Sequence, residues 1–311
     1  MKKIITITLN PAFDLHYGLD RFEAEKENYV NTVICDAGGK GINISRALKF
    51  NGVENTAYVI LGKENAAQFE QNMQTDGVNY IPVYTEGRIR ENITLHPSGA
   101  KETRISLDNF SINSDILNEL YAKLEKDLDE DTLVSFSGRI PKGVSKDEVI
   151  VFLKNIIAKG AKVAVDSNSL TPDDLIRIHP WFIKPNEQEI AAFLGREIND
   201  SREAASVAAE LVARGLSEEV MISLGKHGSV WSDGKQSAIV SVPAITVLST
   251  IGAGDSTVAG YIAATAKGDE PIEALRLACS FGTAACITEG TRPPMPDDVN
   301  KIFKDTSVIK V

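Results

Sequence analysis

The sequence predicts an α/β protein: a mainly parallel sheet covered by helices on both faces, with a small β-sheet lid. Three observations support this class. Strand-like and helix-like segments alternate along nearly all 311 residues. Polar and glycine-rich stretches follow several strand-like segments, as at the carboxyl ends of parallel strands. Short strand-like segments within 80–107 interrupt the alternation.

Apolar and β-branched runs predict the strands, and apolar residues that recur every three or four positions predict the helices. The predicted strands are 3–9, 29–36, 55–61, 81–84, 90–95, 102–107, 132–137, 161–166, 181–184, 219–223, 229–232, 238–241 and 244–248. The predicted helices are 42–51, 64–75, 114–126, 145–159, 186–194, 201–214, 255–267, 271–289 and 296–304. We expect one domain over 1–311, with a lid formed by about 13–34 and 80–107.

Composition excludes several function classes. The chain has 33 basic and 43 acidic side chains and a formal net charge of −10, which argues against a nucleic-acid or anionic-membrane surface. Three cysteines without a Cys-x-x-Cys pair argue against disulfides and zinc. The apolar run at 4–9 is too short for a signal peptide, and no run approaches the ~20 residues of a membrane span. We therefore expect a cytoplasmic protein.

The turn Gly252-Ala253-Gly254 stands between a strand-like segment and a helix, and Asp255 follows it. Backbone N–H groups and the helix dipole favour an anion at such a turn. A carboxylate beside an anion hole can take the proton of an alcohol during phosphoryl transfer. The alternative is that Asp255 only caps the helix, which contributes ~1 kcal/mol.

Three glycines in four residues open the next motif, Gly38-Gly39-Lys40-Gly41-Ile42-Asn43. Glycines let the backbone approach a polar ligand, Lys40 can neutralise a phosphate, and Asn43 can hold hydroxyl groups. The spacing fits neither a P-loop nor a dinucleotide fingerprint. A tight-packing turn is the alternative explanation.

Further polar residues follow other predicted strands. Asp14 can accept hydrogen bonds from two sugar hydroxyls, or it can form an Asx turn. Ser137 and Gly138 end another strand. Asn186 and Glu189 lie three apart, so they either hold Mg²⁺-bound water and phosphate oxygens or form a capping box.

Two remaining groups complete the predicted site. Ser223, Gly225 and Gly228 join two strands and suit a nucleotide, although a plain hairpin turn would look similar. The lid carries four basic side chains, which suggest a second phosphate site in this acidic chain; the alternative is ordinary surface charge. They are Arg88, Arg90, Lys101 and Arg104.

These motifs resemble the ribokinase-type carbohydrate kinases, the PfkB family. Gly38 to Asn43 matches the family's first signature and Gly252 to Asp255 its second, and the resemblance covers nearly the whole chain. It implies a doubly wound α/β/α sandwich with a β lid, ATP and Mg²⁺ as cofactors, and association as a homodimer through the lid. The arginines of the lid resemble those of the phosphosugar branch.

The resemblance also implies the role of each residue. Asp255 would be the catalytic base, with Gly252, Ala253 and Gly254 as the anion hole. The sugar phosphate would contact Asp14, Gly38, Gly39, Lys40, Asn43, Arg88, Arg90, Arg104, Ser137 and Gly138. The nucleotide would contact Lys184, Asn186, Ser223, Gly225, Gly228 and Gly282, with Glu189 holding Mg²⁺ through water or phosphate.

The implied reaction transfers phosphate from ATP to a ketohexose monophosphate, with fructose 1-phosphate as the first choice. Tagatose 6-phosphate and fructose 6-phosphate are alternatives within the family. A non-catalytic sugar-phosphate sensor and, more distantly, a dinucleotide oxidoreductase are alternatives outside it. Arg139 and Ser169 depart from the family pattern, which usually has a serine and a glycine at these positions.

Overall fold

The computed structural model describes residues 2–99, 101–108 and 110–311, which form a large and a small sheet with helices on both faces of the large one. The strands are β1 (Lys3–Thr8), β2 (Ala12–Leu19), β3 (Thr32–Gly38), β4 (Thr56–Gly62), β5 (Asn79–Thr85), β6 (Arg90–Pro97), β7 (Thr103–Ser106), β8 (Thr132–Ser137), β9 (Lys162–Asp166), β10 (Phe182–Ile183), β11 (Glu219–Ser223), β12 (Ser229–Ser232), β13 (Ser237–Ser241) and β14 (Ser307–Lys310).

The helices are α1 (Lys40–Phe50), α2 (Ala66–Thr75), α3 (Ser114–Leu124), α4 (Lys146–Ala158), α5 (Pro172–Ile178), α6 (Glu187–Leu194), α7 (Ser201–Ala213), α8 (Ala253–Lys267), α9 (Pro271–Ala285) and α10 (Pro296–Asp305). Among the described residues, no helix is both long enough and apolar enough to span a bilayer.

The large sheet has the strand order β14-β13-β12-β11-β10-β9-β8-β1-β4-β5. The strands from β11 to β5 run parallel, whereas β12, β13 and β14 pair antiparallel. From β1 the chain winds outward through β4 to one edge, and from β8 through β9 towards the other. The order in which strands are added to the sheet reverses between β1 and β8, which is where a doubly wound sheet opens a crevice for ligands.

Two apolar clusters cover the opposite faces of the large sheet, because successive strand residues point to opposite sides. Ile5 and Ile7 of β1 belong to the cluster that includes residues of α2, α3, α4 and α7. Ile4 belongs to the other cluster, beneath α8, α9 and α10. The described chain therefore has the predicted three-layer α/β/α arrangement.

The small sheet has the order β3-β2-β6-β7 and two chemically different faces. Its register brings Asp14 opposite Asn92, and places Arg104 opposite Thr94. By alternation these side chains share one polar face. The opposite face is apolar, and includes Leu15 of β2 and Ile105 of β7.

Arg46 of α1 ties the small sheet to the body of the protein. The residue is only 2% exposed, and its guanidinium lies 3.3 Å from Asp36 of β3 and 2.6 Å from Asp76 after α2. Removing one partner of such a buried ion pair leaves an unpaired charge, which is costly. The pair therefore fixes where β3 meets the body.

The structure corrects two sequence predictions. The segment 81–84 lies in β5, which pairs parallel to β4 at the edge of the large sheet, so it is not a meander strand. The segment 244–248 forms no strand; it is an irregular connection in which Val247 and Leu248 are more than half exposed. Three further elements, β2, α5 and β14, were not predicted from the sequence.

Candidate active site

The amino terminus of α8 forms the predicted glycine turn. Gly252 has a φ of 76°, in the left-handed region that favours glycine, and its carbonyl accepts a 2.8 Å hydrogen bond from the amide of Ser256. The amides of Gly254 and Asp255 belong to the first helical turn, where N–H groups lack intrahelical acceptors. A Cβ added to Gly254 would lie 3.3 Å from Nζ of Lys184, so a lysine ammonium stands beside these donors. This arrangement suits an anion.

Asp255 is buried beside this turn, with 7% of its surface exposed. Burial raises the pKa of its carboxyl to about 6, although nearby Lys40 lowers it. Asn43 of α1 donates a 2.8 Å hydrogen bond to Oδ2. A carboxyl with this pKa is mainly ionised at neutral pH and is a stronger base than an ordinary aspartate.

Lys40 and Asp166 form an ion pair next to Asp255, with Nζ 2.9 Å from Oδ1. Burial opposes the charge of Lys40, but Asp166 and Asp255 outweigh it and raise the pKa of the ammonium. Burial likewise opposes the charge of Asp166, and Lys40 and Lys184 outweigh it and lower the pKa of that carboxyl. The site therefore holds a compact network of alternating charges, in which the two carboxylates are buried and Lys40 is partly exposed.

Asp14 lies on the polar face of the small sheet and accepts a 2.9 Å hydrogen bond from Asn92. Burial raises the pKa of Asp14, while Asn92, Arg46 and Arg90 lower it. A Cβ on Gly38 would lie 2.1 Å from Oδ2 of Asp14, so glycine is required here by close packing. Asp14 therefore belongs to a hydrogen-bonded surface rather than an isolated turn.

These residues surround one cavity of about 330 Å³ between the small sheet and the carboxyl ends of the large sheet. Eight predicted site residues line it, contributed by β2, α1, the small sheet and the α8 turn. They are Asp14, Gly39, Lys40, Asn43, Arg90, Arg104, Gly252 and Asp255. The carboxylate of Asp255 and the arginines of the small sheet thus face a common space.

Some predicted sugar-site residues do not line this cavity. Arg88 precedes β6, is exposed, and forms a 2.8 Å ion pair with Glu91. Ser137 is buried at the end of β8, where its hydroxyl lies 2.9 Å from that of Ser135. Gly138 has a φ of 104° and borders Lys40, so glycine there permits the turn.

Five of the six predicted nucleotide residues lie at or after the ends of β10 and β11, whereas Gly282 lies on α9. Lys184 is 6% exposed, and its Nζ lies 3.4 Å from the hydroxyl of Ser223. Asn186 and Glu189 form a capping box, in which each side chain accepts a 2.9 Å hydrogen bond from the other's backbone amide. The capping alternative is thus present, and it leaves Oε1 of Glu189 available to a ligand.

A left-handed φ or a close approach of neighbouring atoms explains three of the predicted glycines. Gly225 begins a short turn between β11 and β12, with a φ of 54°. A Cβ on Gly228 would lie 2.0 Å from the carbonyl oxygen of Val240. A Cβ on Gly282 would lie 2.1 Å from the hydroxyl of Thr257, so this glycine lets α9 approach α8. Their contact with a nucleotide stays a prediction.

A magnesium ion fits the oxygen donors of Asp166, at the end of β9, and Glu189, in the first turn of α6. Asp166 and Glu189 line a second cavity of about 170 Å³. Oδ2 of Asp166 is buried and accepts no hydrogen bond within the described chain. Two carboxylates with waters and substrate phosphates are the oxygen donors that Mg²⁺ prefers, although no cluster of three metal-binding side chains occurs among the described residues.

The sequence analysis did not assign eight further residues that line the larger cavity. They are His16, Asn92, Ile93, Thr94, Ser106, Arg139, Ile251 and Thr291. Alternation within the predicted strand 90–95 could have placed Asn92 and Thr94 beside Arg90. His16 lies on β2, which the sequence analysis did not identify as a strand.

Comparison with known proteins identifies the family of this chain. The model of the pfkB family of carbohydrate kinases matches residues 6–298. A 1-phosphofructokinase of Haemophilus influenzae is 33% identical over 288 residues, which cover 92% of this chain and 91% of that protein. A tagatose-6-phosphate kinase of Staphylococcus epidermidis is 28% identical, over 99% of this chain and 100% of that protein.

The fold is also similar to that of a solved kinase structure. The phosphofructokinase-2 from Escherichia coli, in complex with substrates and products, superposes with a TM-score of 0.90 at 25% identity. The superposition covers 97% of this chain and 98% of that one. The doubly wound sheet and the small separate sheet are therefore shared with kinases of this type.

Proposed function

This chain belongs to the pfkB family of carbohydrate kinases and is a sugar kinase of the phosphofructokinase type, and we propose that it phosphorylates fructose 1-phosphate with ATP. The products would be fructose 1,6-bisphosphate and ADP. One observation carries the proposal: Asp255 and the arginines of the small sheet line the same cavity. A substrate there can present a hydroxyl to a base and an existing phosphate to cations.

The reaction begins with the acceptor hydroxyl beside Asp255. Because Asn43 occupies Oδ2, we assign the proton to Oδ1. The attacking oxygen forms a bond to the γ-phosphorus of ATP, the bond to the bridging oxygen breaks, and ADP leaves. The carboxyl pKa of about 6 suits this proton transfer, since the base is ionised at neutral pH and still basic.

The amide groups at the start of α8 stabilise the charge on the transferred phosphoryl group. We assign this anion hole to the turn Gly252-Ala253-Gly254. Because the Ala253 amide donates to the carbonyl of Thr250 at 3.4 Å, the amides of Gly254 and Asp255 are its donors, and Lys184 adds a positive charge next to Gly254. The donors are fixed by the helix before the substrate arrives, so they need little rearrangement during the reaction. Bound Mg²⁺, held by Glu189 and Asp166 through water or phosphate, would neutralise charge on the nucleotide phosphates.

The existing phosphate of the sugar lies at the opposite side of the cavity. Arg90 and Arg104 of the small sheet bind it, because guanidinium groups suit bidentate phosphate contacts. Asp14 and Asn43 hold sugar hydroxyls. Among the predicted phosphate ligands, Arg88 has the weakest support, since it is exposed and paired with Glu91.

We propose that the small sheet acts as a lid and as the surface through which two copies associate. Closure over the cavity would exclude water and suppress ATP hydrolysis. The apolar face opposite the cavity supports association, since Val33 is 62% exposed and Ile105 is 48% exposed. We also propose that the protein is cytoplasmic, as expected from its composition. The three cysteines are free thiols, which is compatible with a reducing compartment.

Tagatose 6-phosphate is a second candidate substrate, supported by the likeness to the tagatose-6-phosphate kinase over the full length of both chains. The deciding experiment is a coupled assay of ADP release with fructose 1-phosphate, tagatose 6-phosphate, fructose 6-phosphate and fructose side by side. We expect the highest kcat/KM with fructose 1-phosphate. A higher value with another phosphosugar would reassign the substrate, and activity with none would refute the proposal.

A further inference from the structure

Arg139 follows β8 and lies on the body of the protein, across the cavity from the small sheet. The backbone on both sides of it is fixed by hydrogen bonds. The amide of Gly138 donates to the carbonyl of Asp166 at 3.0 Å, and the amide of Ile140 donates to the hydroxyl of Ser169 at 3.1 Å. The residue therefore has a defined position at the cavity edge while its side chain is exposed.

The charge of Arg139 is not neutralised within the described chain. No carboxylate there forms an ion pair with it, and its guanidinium donates no hydrogen bond to a described residue. Asp108, whose pKa the charge of Arg139 helps to lower, is already paired with Lys142 at 2.6 Å. In a protein with a net charge of −10, an uncompensated arginine at a cavity is unexpected.

Two more arginines border the same cavity, and they come from the other layer. Arg90 on β6 and Arg104 on β7 lie on the polar face of the small sheet. Burial lowers the pKa of Arg90, Asp14 opposes that shift, and the positive charge of Arg139 lowers the pKa again, so the two guanidinium groups lie close enough to repel one another. An anion between them would remove this repulsion and accept hydrogen bonds from both sides.

We propose that Arg139 is a specificity-determining residue that binds the phosphate already present on the sugar from the body side of the cavity. The inference rests on the proposed function and deepens it. With Arg90 and Arg104 on the small sheet, the phosphate would then link the two layers that enclose the substrate. An unphosphorylated sugar cannot form this link. It would lose the contacts with the arginines of both layers, so the protein would bind it more weakly than a phosphosugar.

The serine usual for the family at this position could donate one neutral hydrogen bond, whereas arginine carries a full charge and a two-pronged donor. Charge-assisted hydrogen bonds contribute roughly twice as much as neutral ones. Arg139 thus offers the phosphate a stronger contact than a serine at the same position would. The effect should appear in the binding of phosphosugar and leave nucleotide binding unchanged, since Arg139 does not line the cavity of Glu189.

The test compares wild type with Arg139→Ser, and with Arg177→Ser as a matched loss of a surface arginine. Arg177 is paired with Asp147 at 2.7 Å, outside both cavities. Equilibrium binding of each ketohexose monophosphate and of fructose is measured by calorimetry, and KM for sugar and for MgATP by the coupled assay. We expect Arg139→Ser to weaken phosphosugar binding by about 10- to 100-fold, the effect of a charged hydrogen bond, with KM for MgATP and the affinity for fructose unchanged.

Equal affinity of wild type and Arg139→Ser for the phosphosugar would overturn this inference and leave the proposed function intact. The same loss in Arg177→Ser would also overturn it, because the effect would then come from overall charge. Preference of wild type for a phosphosugar other than fructose 1-phosphate, with the loss in Arg139→Ser retained, would correct the substrate and support the inference. If wild type binds no phosphosugar, both are refuted.

Discussion

Replacing Asn43 by leucine should move the pH dependence of catalysis, because the hydrogen bond from Asn43 is one of the interactions that lower the pKa of Asp255. The side chain donates a 2.8 Å hydrogen bond to a carboxylate that is only 7% exposed. A hydrogen bond to a charged group contributes about 1.5–3 kcal/mol, which corresponds to a pKa change of about 1–2 pH units. Without the donor, the charged form of Asp255 is less stable and its pKa rises above the wild-type value of about 6.

The assay is kcat at saturating sugar phosphate and MgATP between about pH 5 and 9. In wild type, activity should fall as the pH drops through about 6, since protonated Asp255 cannot accept a proton. In Asn43→Leu, the same acidic limb should lie about 1–2 pH units higher, with activity partly recovered at high pH. A uniform loss of kcat at every pH, with the limb unmoved, would refute the assigned link between Asn43 and the base.

Three further predictions follow from the same charges. Arg90→Ala should raise KM for the sugar phosphate at least about 10-fold with KM for MgATP unchanged, because a charged contact is lost; equal rises in both would exclude a role confined to the sugar site. Chelation of Mg²⁺ by EDTA should abolish turnover and added Mg²⁺ should restore it; persistent activity in EDTA would contradict the metal role of Glu189. Asp255→Asn should stabilise the fold at neutral pH by up to about 3 kcal/mol, since the carboxyl pKa rises from 3.8 to about 6 on folding. This gain in the free energy of unfolding should vanish below pH 3.8. Urea unfolding of wild type and variant, at neutral pH and below pH 3.8, measures it.

The sign of the last prediction follows from the direction of the shift. A carboxyl whose pKa is raised by burial costs stability above its folded pKa, where it must be buried charged. As the pH falls below the ordinary aspartate value of 3.8, both folded and unfolded states are protonated and the cost disappears. An uncharged amide of the same shape avoids the cost, so the variant should lose activity and gain stability together.

The local part of the site was predictable from sequence, because it depends on short-range backbone rules. Glycine before a helical pattern at 255–267 predicted the α8 turn, and the structure confirms a left-handed Gly252 at its start. The strand predicted at 244–248 was wrong. Its β-branched residues resemble a buried strand, but no strand of the described residues pairs with it, so it runs over the surface.

The assignment of strands to sheets was less predictable, because alternation does not identify the partner of a strand. The segment 81–84 has the same pattern as the lid strands, yet β5 pairs with β4. In the same way, the sequence does not show which side chains share a cavity, as Arg139 illustrates. Its departure from the family pattern was visible in the sequence, but only the fold shows that it shares a cavity with Arg90 and Arg104.

The central claim is that Asp255 deprotonates the acceptor while the start of α8 holds the transferred phosphoryl group. Single-turnover phosphorylation of fructose 1-phosphate by Asp255→Asn tests it most directly, with sugar binding measured on the same protein. The account predicts a folded variant that still binds fructose 1-phosphate but transfers phosphate at least about 100-fold more slowly, the lower limit for a general base. Transfer at the wild-type rate by the folded variant would contradict it.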